Sequence, residues 1–180
     1  MSKKLGFVVG SLRSGSYTRL VADTVAKMVP AEYEVVFLET GNLPFFNDDF
    51  DVNNEVPETW KELRQVVPTL DGIIFFTPEY NRSIPANLKN MLDVGSRPYG
   101  QNVWNEKKAL IVSQSPGAIG GFGAVQILRQ SLNFLNVDAM EQPEVYLSHM
   151  ESLIGEDGEI VDGTKGFLES VLKQFLAFIE

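Results

Sequence analysis

The chain has 180 residues, with 24 acidic against 15 basic side chains, a net charge of −9, one histidine and no cysteine. At this length roughly 68–75% of the unfolded chain's surface is buried on folding, so a single domain over residues 1–180 is expected to build its core without covalent staples. The missing cysteine excludes disulfides, thiolate nucleophiles and sulfur-ligated metals, no metal site is expected, and the negative balance argues against nucleic acid or an anionic membrane as partner.

The elements alternate along the chain. Residues 5–11 read as a buried strand, preceded by Lys3 and Lys4. That apolar run is too short for a signal peptide, and no run approaches the ~18 residues of a membrane span, so a cytoplasmic location is expected. A helix pattern over 17–29 places Leu20, Val21, Val25 and Met28 on one stripe, and Pro30 closes it. Residues 34–38 form a second strand. Residues 40–57 are acidic and proline-bearing, and no regular structure is predicted there. A helix over about 58–67 carries Trp60, Leu63 and Val67 on one face.

The Gly-Ile-Ile-Phe-Phe-Thr run at 72–77 is apolar on both faces, which suits a central parallel strand covered by helices. A helix over 86–94, a strand over 109–114 and a helix over 124–135 follow, with a fifth strand expected within 138–147. Thr164 reads as the N-cap of a last helix whose stripe (Phe167, Leu168, Val171, Leu172, Phe175, Leu176 and Ile179) is expected to be a core face. Five alternations without an internal repeat imply an α/β fold: a doubly wound, five-stranded parallel sheet of flavodoxin-like order 2-1-3-4-5, with helices on both faces. Such sheets bind ligands beyond the carboxyl ends of their strands, where strand order reverses. The loops after strands one, three and four meet there, and these three are the unusual ones.

The first loop runs Gly10-Ser11-Leu12-Arg13-Ser14-Gly15-Ser16-Tyr17-Thr18. A plain strand-to-helix turn needs one capping hydroxyl, here Ser16. Four hydroxyls and Arg13 exceed that need, and at a helix N-terminus they point to a phosphate. Neither Gly-Lys-Ser/Thr nor Gly-x-Gly-x-x-Gly is present, so the expected ligand is a mononucleotide. The second loop, 77–85 (Thr-Pro-Glu-Tyr-Asn-Arg-Ser-Ile-Pro), is either a rigid turn with Tyr80 packed on the surface or a stiff edge held against a flat heteroaromatic ring. The third, 115–121 (Ser-Pro-Gly-Ala-Ile-Gly-Gly), is either a flexible connector or a small-residue floor beneath such a ring. His149 has no motif around it and a surface or packing role is expected. Arg82 and Arg97 could read a nucleotide 2′-phosphate, but solvated surface charge is the expected role.

Together, Gly10-Ser11-Leu12-Arg13-x-x-Ser16, Pro78-Glu79-Tyr80-Asn81 and Ser115-x-Gly117-x-x-Gly120-Gly121 resemble the NAD(P)H-dependent FMN reductase family, a flavodoxin-like group with quinone, chromate and azo-dye reductases, over about residues 5–145. The resemblance implies that Ser11, Arg13, Ser16, Tyr17 and Thr18 hold the FMN phosphate, Thr18 standing where relatives often carry asparagine. It implies that Pro78, Glu79, Tyr80 and Asn81 bracket the isoalloxazine and that Ser115 and Gly117 line its other edge. No side chain is expected to be catalytic. Hydride would pass from NADPH or NADH to the flavin N5 and then to a small-molecule acceptor such as a quinone. The family also implies a homodimer or homotetramer with the flavin near the subunit interface, which would give Phe45, Phe46 and Trp104 a role if they are exposed. Two rival readings stay open: a flavodoxin-type electron carrier, and a phosphosugar- or nucleotide-binding module without flavin.

Overall fold

The computed structural model describes residues 3–180. Strands β1 (Lys3–Val9), β2 (Tyr33–Leu38), β3 (Gly72–Thr77) and β4 (Lys108–Gln114) run parallel, as do two short pieces beside β4, β5 (Asp138–Ala139) and β6 (Val145–Leu147). The order is β2-β1-β3-β4-β5, with β6 also pairing β4. Helices are α1 (Tyr17–Ala26), α2 (Asp49–Val52), α3 (Glu58–Val66), α4 (Ala86–Gly95), α5 (Phe122–Phe134) and α6 (Asp162–Ile179).

Alternating side chains divide the apolar residues between two cores, one on each face of the sheet. Val8, Ile73, Phe75, Ala109 and Ile111 meet α3, α4 and α5, whereas Phe7, Ile74, Phe76, Leu110 and Val112 meet α1 and α6. Every residue of β3 is buried, as its two-sided apolar run predicts.

Four local expectations change. The fifth strand is two pieces, because Pro143 in the segment between them has no N–H for the ladder. The last helix begins two residues before Thr164. Val161 is its N-cap, its carbonyl accepting the N–H groups of Thr164 and Lys165 at 3.0 Å, and Asp162 complements the helix dipole. The segment 40–57 contains the short helix α2, anchored where both Asp51 carboxylate oxygens accept from Arg64 at 2.6 and 2.8 Å. Trp104 is fully buried and donates Nε1–H to Leu92 O at 3.0 Å, and Phe46 stacks on buried Trp60, so of the three aromatics given a conditional interface role only Phe45 is exposed.

The irregular stretch before α2 is pinned from below by one buried amide. Asn90 on α4 accepts from Phe46 N–H at 2.8 Å and donates to Leu43 O and Pro44 O at 3.2 and 3.1 Å. Trp60 Nε1–H adds a bond to Pro44 O. An Asn90→Leu variant leaves Phe46 N–H and Leu43 O without these partners, while Pro44 O keeps Trp60, at a cost of about 1–3 kcal/mol. Amide exchange at Phe46 should then accelerate while β3 stays protected. Unchanged exchange at Phe46 would show that the loop is held by other contacts.

Candidate functional site

The parallel strands deliver their loops to one edge of the sheet. Gly10 N–H donates to Phe76 O at 2.8 Å, keeping β1 and β3 in register to the point where both chains leave the sheet. From there the first loop turns into α1 through Ser16, an extended N-cap residue whose Oγ accepts from Arg19 N–H at 3.3 Å. The earlier N–H groups of α1 are left facing the loop, together with the positive end of the helix dipole. Arg13 folds back over this turn. Its Nη2 donates to Gly15 O at 2.9 Å, and its guanidinium lies 5.4 Å from the centre of the Tyr17 ring.

The second loop closes on itself as a two-residue hairpin. Tyr80 and Ser83 exchange both backbone hydrogen bonds (3.0 and 2.9 Å), and the central residues Asn81 and Arg82 have φ of 51° and 65°. A tight hairpin of this hand demands positive φ at both positions, which asparagine tolerates well. The Tyr80 hydroxyl lies 3.3 Å from Ser11 Oγ, joining the second loop to the first.

The third loop is stapled to the chain after β6. Ser115 N–H donates to Leu147 O, Met150 N–H to Ser115 O and His149 N–H to Gly117 O, at 3.0 to 3.2 Å. His149 is exposed and serves this staple through its backbone, in agreement with a surface role. The glycines answer to their own chain. A side chain at Gly120, where φ is 58°, would sit 2.7 Å from the Tyr146 carbonyl carbon and 2.9 Å from Ser148 Oγ, and one at Gly121 would press on Ser113. At these two positions small residues are therefore a packing requirement between β4, β6 and α5.

The three loops enclose a pocket of about 410 Å³, within the roughly 300–1,000 Å³ usual for small-molecule sites. Of the residues singled out in the sequence, Ser11, Arg13, Ser16, Tyr17, Pro78, Glu79, Tyr80 and Ser115 line it. Thr18, Asn81 and Gly117 adjoin lining residues in the chain rather than line the pocket themselves. Thr18 is buried behind the cradle with its Oγ1 accepting from Gln114 Nε2 at 2.7 Å, and Asn81 forms the hairpin tip. Gln114, Pro116 and Glu151 line the pocket and were not anticipated. Gln114 had a readable signal, a polar residue ending a buried strand. Glu151, whose carboxylate accepts from Tyr17 Oη at 3.4 Å, is brought there from far along the chain and had none.

The model of the NADPH-dependent FMN reductase family matches residues 3–152. This chain belongs to that family. The chain is also 46% identical over 173 residues to a quinone reductase of Pseudomonas putida, covering 96% of this chain and 92% of the relative. It is 38% identical over 180 residues to a 2-hydroxy-1,4-benzoquinone reductase of a Burkholderia species, covering 99% and 97% of the two chains. Its fold superposes with a TM-score of 0.90 on FerB, the flavoenzyme NAD(P)H:(acceptor) oxidoreductase of Paracoccus denitrificans, at 33% identity and with 98% and 97% of the chains covered.

The pocket of this chain fits the FMN of its family. Hydroxyls, one guanidinium and a helix N-terminus gather at one end, where a phosphate needs donors. Two proline-bearing loops, 78–80 and 115–116, supply the rest of the wall and bound the slot between them. Gln114 Oε1 is buried without a partner, an acceptor that a hydroxyl-rich ligand can satisfy.

The glycine geometry separates two neighbouring substitutions. Gly120→Ala, strained in φ and pressed against β6, should destabilise the fold by more than about 1 kcal/mol. Gly117→Ala meets only Ser115 Oγ, at 3.4 Å, and should leave the denaturation midpoint unchanged. Equal midpoints for both variants would contradict this account of the loop.

Proposed function

We propose that this protein carries FMN in the pocket at the carboxyl edge of its sheet and uses NADPH or NADH to reduce a quinone or a similar small acceptor, such as free flavin, an azo compound or chromate. The observation that carries the reading is the joining of a phosphate cradle and a ring slot in one pocket, through the Ser11–Tyr80 contact. When bound, FMN supplies two-electron hydride chemistry, so the chain contributes position and electrostatics rather than a nucleophile.

In this reading Ser11, Ser16 and Arg13, with the first backbone N–H groups of α1 at Tyr17 and Thr18, would hold the phosphate. Tyr17 orients Arg13 by its ring and is itself held by Glu151. Pro78, Glu79, Tyr80 and Asn81 would bracket the isoalloxazine, with backbone N–H groups available to an electron-rich ring. Ser115 and Gly117 would border its other edge. The wall at Ser115 and Pro116 carries no aromatic side chain, which leaves space for a second flat molecule against the ring. An electron carrier gains nothing from that space, and the named relatives are reductases.

The whole chain is proposed to work as one domain, in the cytoplasm where nicotinamide nucleotides are available. No helix among the described residues is long and apolar enough to cross a membrane. It is proposed to pair with a second copy through the outer face of α5. Phe122, Ile127 and Phe134 are exposed there among Gln126, Gln130 and Asn133, with Phe134 at 88% exposure. The one charged side chain of α5, Arg129, is part-buried and turns away to donate to Met140 O, in a chain whose net charge of −9 otherwise opposes self-association.

Two measurements test these proposals. The FMN-loaded protein, kept anaerobic, should lose its yellow colour on addition of NADPH or NADH and regain it with a quinone, and Arg13→Ala should raise the FMN dissociation constant roughly tenfold or more without shifting the denaturation midpoint. A flavin that stays oxidised with both nucleotides would refute the reductase reading, and unchanged affinity in the variant would refute the cradle. In sedimentation, the wild-type protein should run as a multiple of the single-chain mass and Phe134→Glu should shift it towards one chain. A wild-type protein that sediments as one chain would refute the interface.

A further inference from the structure

Glu79 stands between Pro78 and Tyr80 on the pocket wall, yet its side chain is only 9% exposed. Burying a carboxylate is unfavourable unless it is met by donors. Two donors meet it, from different directions. Oε2 accepts from Ala124 N–H at 3.1 Å, and Oε1 accepts from Arg82 Nη1 at 2.9 Å.

The first contact solves a problem of α5. That helix starts after Gly121, which has no side chain to cap it. An ordinary capping side chain would accept from the second or third N–H of the helix. Ala124 is the third helical residue, so Glu79 does from another loop what the N-cap residue cannot do, and its charge complements the helix dipole. Gly123 makes room for it, since a Cβ there would lie 2.9 Å from Glu79 Oε2. The second contact holds Arg82, a residue without the tolerance of glycine or asparagine, at φ 65° on the hairpin tip.

We propose that Glu79 is a positioning residue that fixes the ring loop against the N-terminus of α5, and so sets the width and the local charge of the slot between loops 78–82 and 115–121. The proposal rests on the reading that FMN occupies this pocket. The carboxylate ties the hairpin that carries Tyr80 to the helix that follows the third loop. It also leaves Arg82, 74% exposed beside the slot, electrically balanced.

Glu79→Gln keeps the volume and one acceptor for Ala124 N–H but leaves the Arg82 charge uncompensated. With apoprotein titrated against FMN, the dissociation constant should rise roughly tenfold, a loss on the scale of one charge-assisted contact. The flavin midpoint potential, measured by dye equilibration, should move to a more positive value, because an unbalanced cation near the slot favours the more electron-rich reduced ring. Gly123→Ala displaces the carboxylate without removing it, so it should weaken FMN binding while moving the potential less than Glu79→Gln does. It also tests the proposal if Glu79→Gln fails to fold. Wild-type affinity and potential in Glu79→Gln would overturn the proposal, as would wild-type affinity in Gly123→Ala. Failure of the underlying reading is distinct, because wild-type apoprotein would then not bind FMN at all.

Discussion

A parallel sheet covered by helices on both faces offers a ligand only its ends, and this constraint organises the whole molecule. With β3 buried throughout and β1 and β4 on either side of it, the chain must turn outward at Gly10, Thr77 and Gln114, at the same edge of three adjacent strands. The site is thus assembled from three segments far apart in sequence, each anchored by a strand whose register is fixed by apolar alternation. A slip of one residue in β4 would exchange Ile111 and Val112 between the two cores and carry Gln114 and Ser115 away from the pocket.

Electrostatics poses a second constraint. A chain of net charge −9 attracts no anion at long range, so an anionic cofactor has to be captured by groups already in place. The cradle is built that way. Arg13 is tethered to Gly15 O and the Tyr17 ring, Ser16 caps the helix, and Thr18 binds Gln114, so little ordering remains to be done on binding. The two carboxylates on the same wall are themselves engaged, Glu79 by Arg82 and Ala124, and Glu151 by the Tyr17 hydroxyl.

The strand order and most of the pocket wall were legible in the sequence because both rest on local patterns. Two-sided apolar runs mark central strands, and hydroxyls clustered before a helix mark an anion site. What was not legible depends on which residues meet across long separations. The Gly120–Gly121 pair has the composition of a ligand floor but exists to let β6 and β4 approach α5, and nothing near residue 120 announces Tyr146 as its neighbour. Asn81 was legible as a loop residue, but its place at the tip of a two-residue hairpin depends on the Tyr80–Ser83 pairing. Trp104 lies in a Gly/Pro-bearing stretch that reads as surface, and only the fold shows α4 closing over it. Segment 43–46 lacks periodicity, so the Asn90 amide that holds it could not be assigned a partner.

The placement of backbone strain bears on how rigid the site is. Of six non-glycine residues with positive φ among the described residues, three, Asn81, Arg82 and His149, belong to the second loop or to the staple beneath the third. Such conformations are unfavourable and persist only where surrounding contacts over-determine them. Here those contacts are the paired Tyr80–Ser83 bonds, the Glu79 bridge to Arg82 and the His149–Gly117 bond. None of them involves a ligand. The slot is consequently held open by the chain itself, and a flat ring entering it meets walls whose spacing is set before it arrives. That arrangement suits a pocket that must admit a donor and then an acceptor in the same place, since neither visitor has to reshape it.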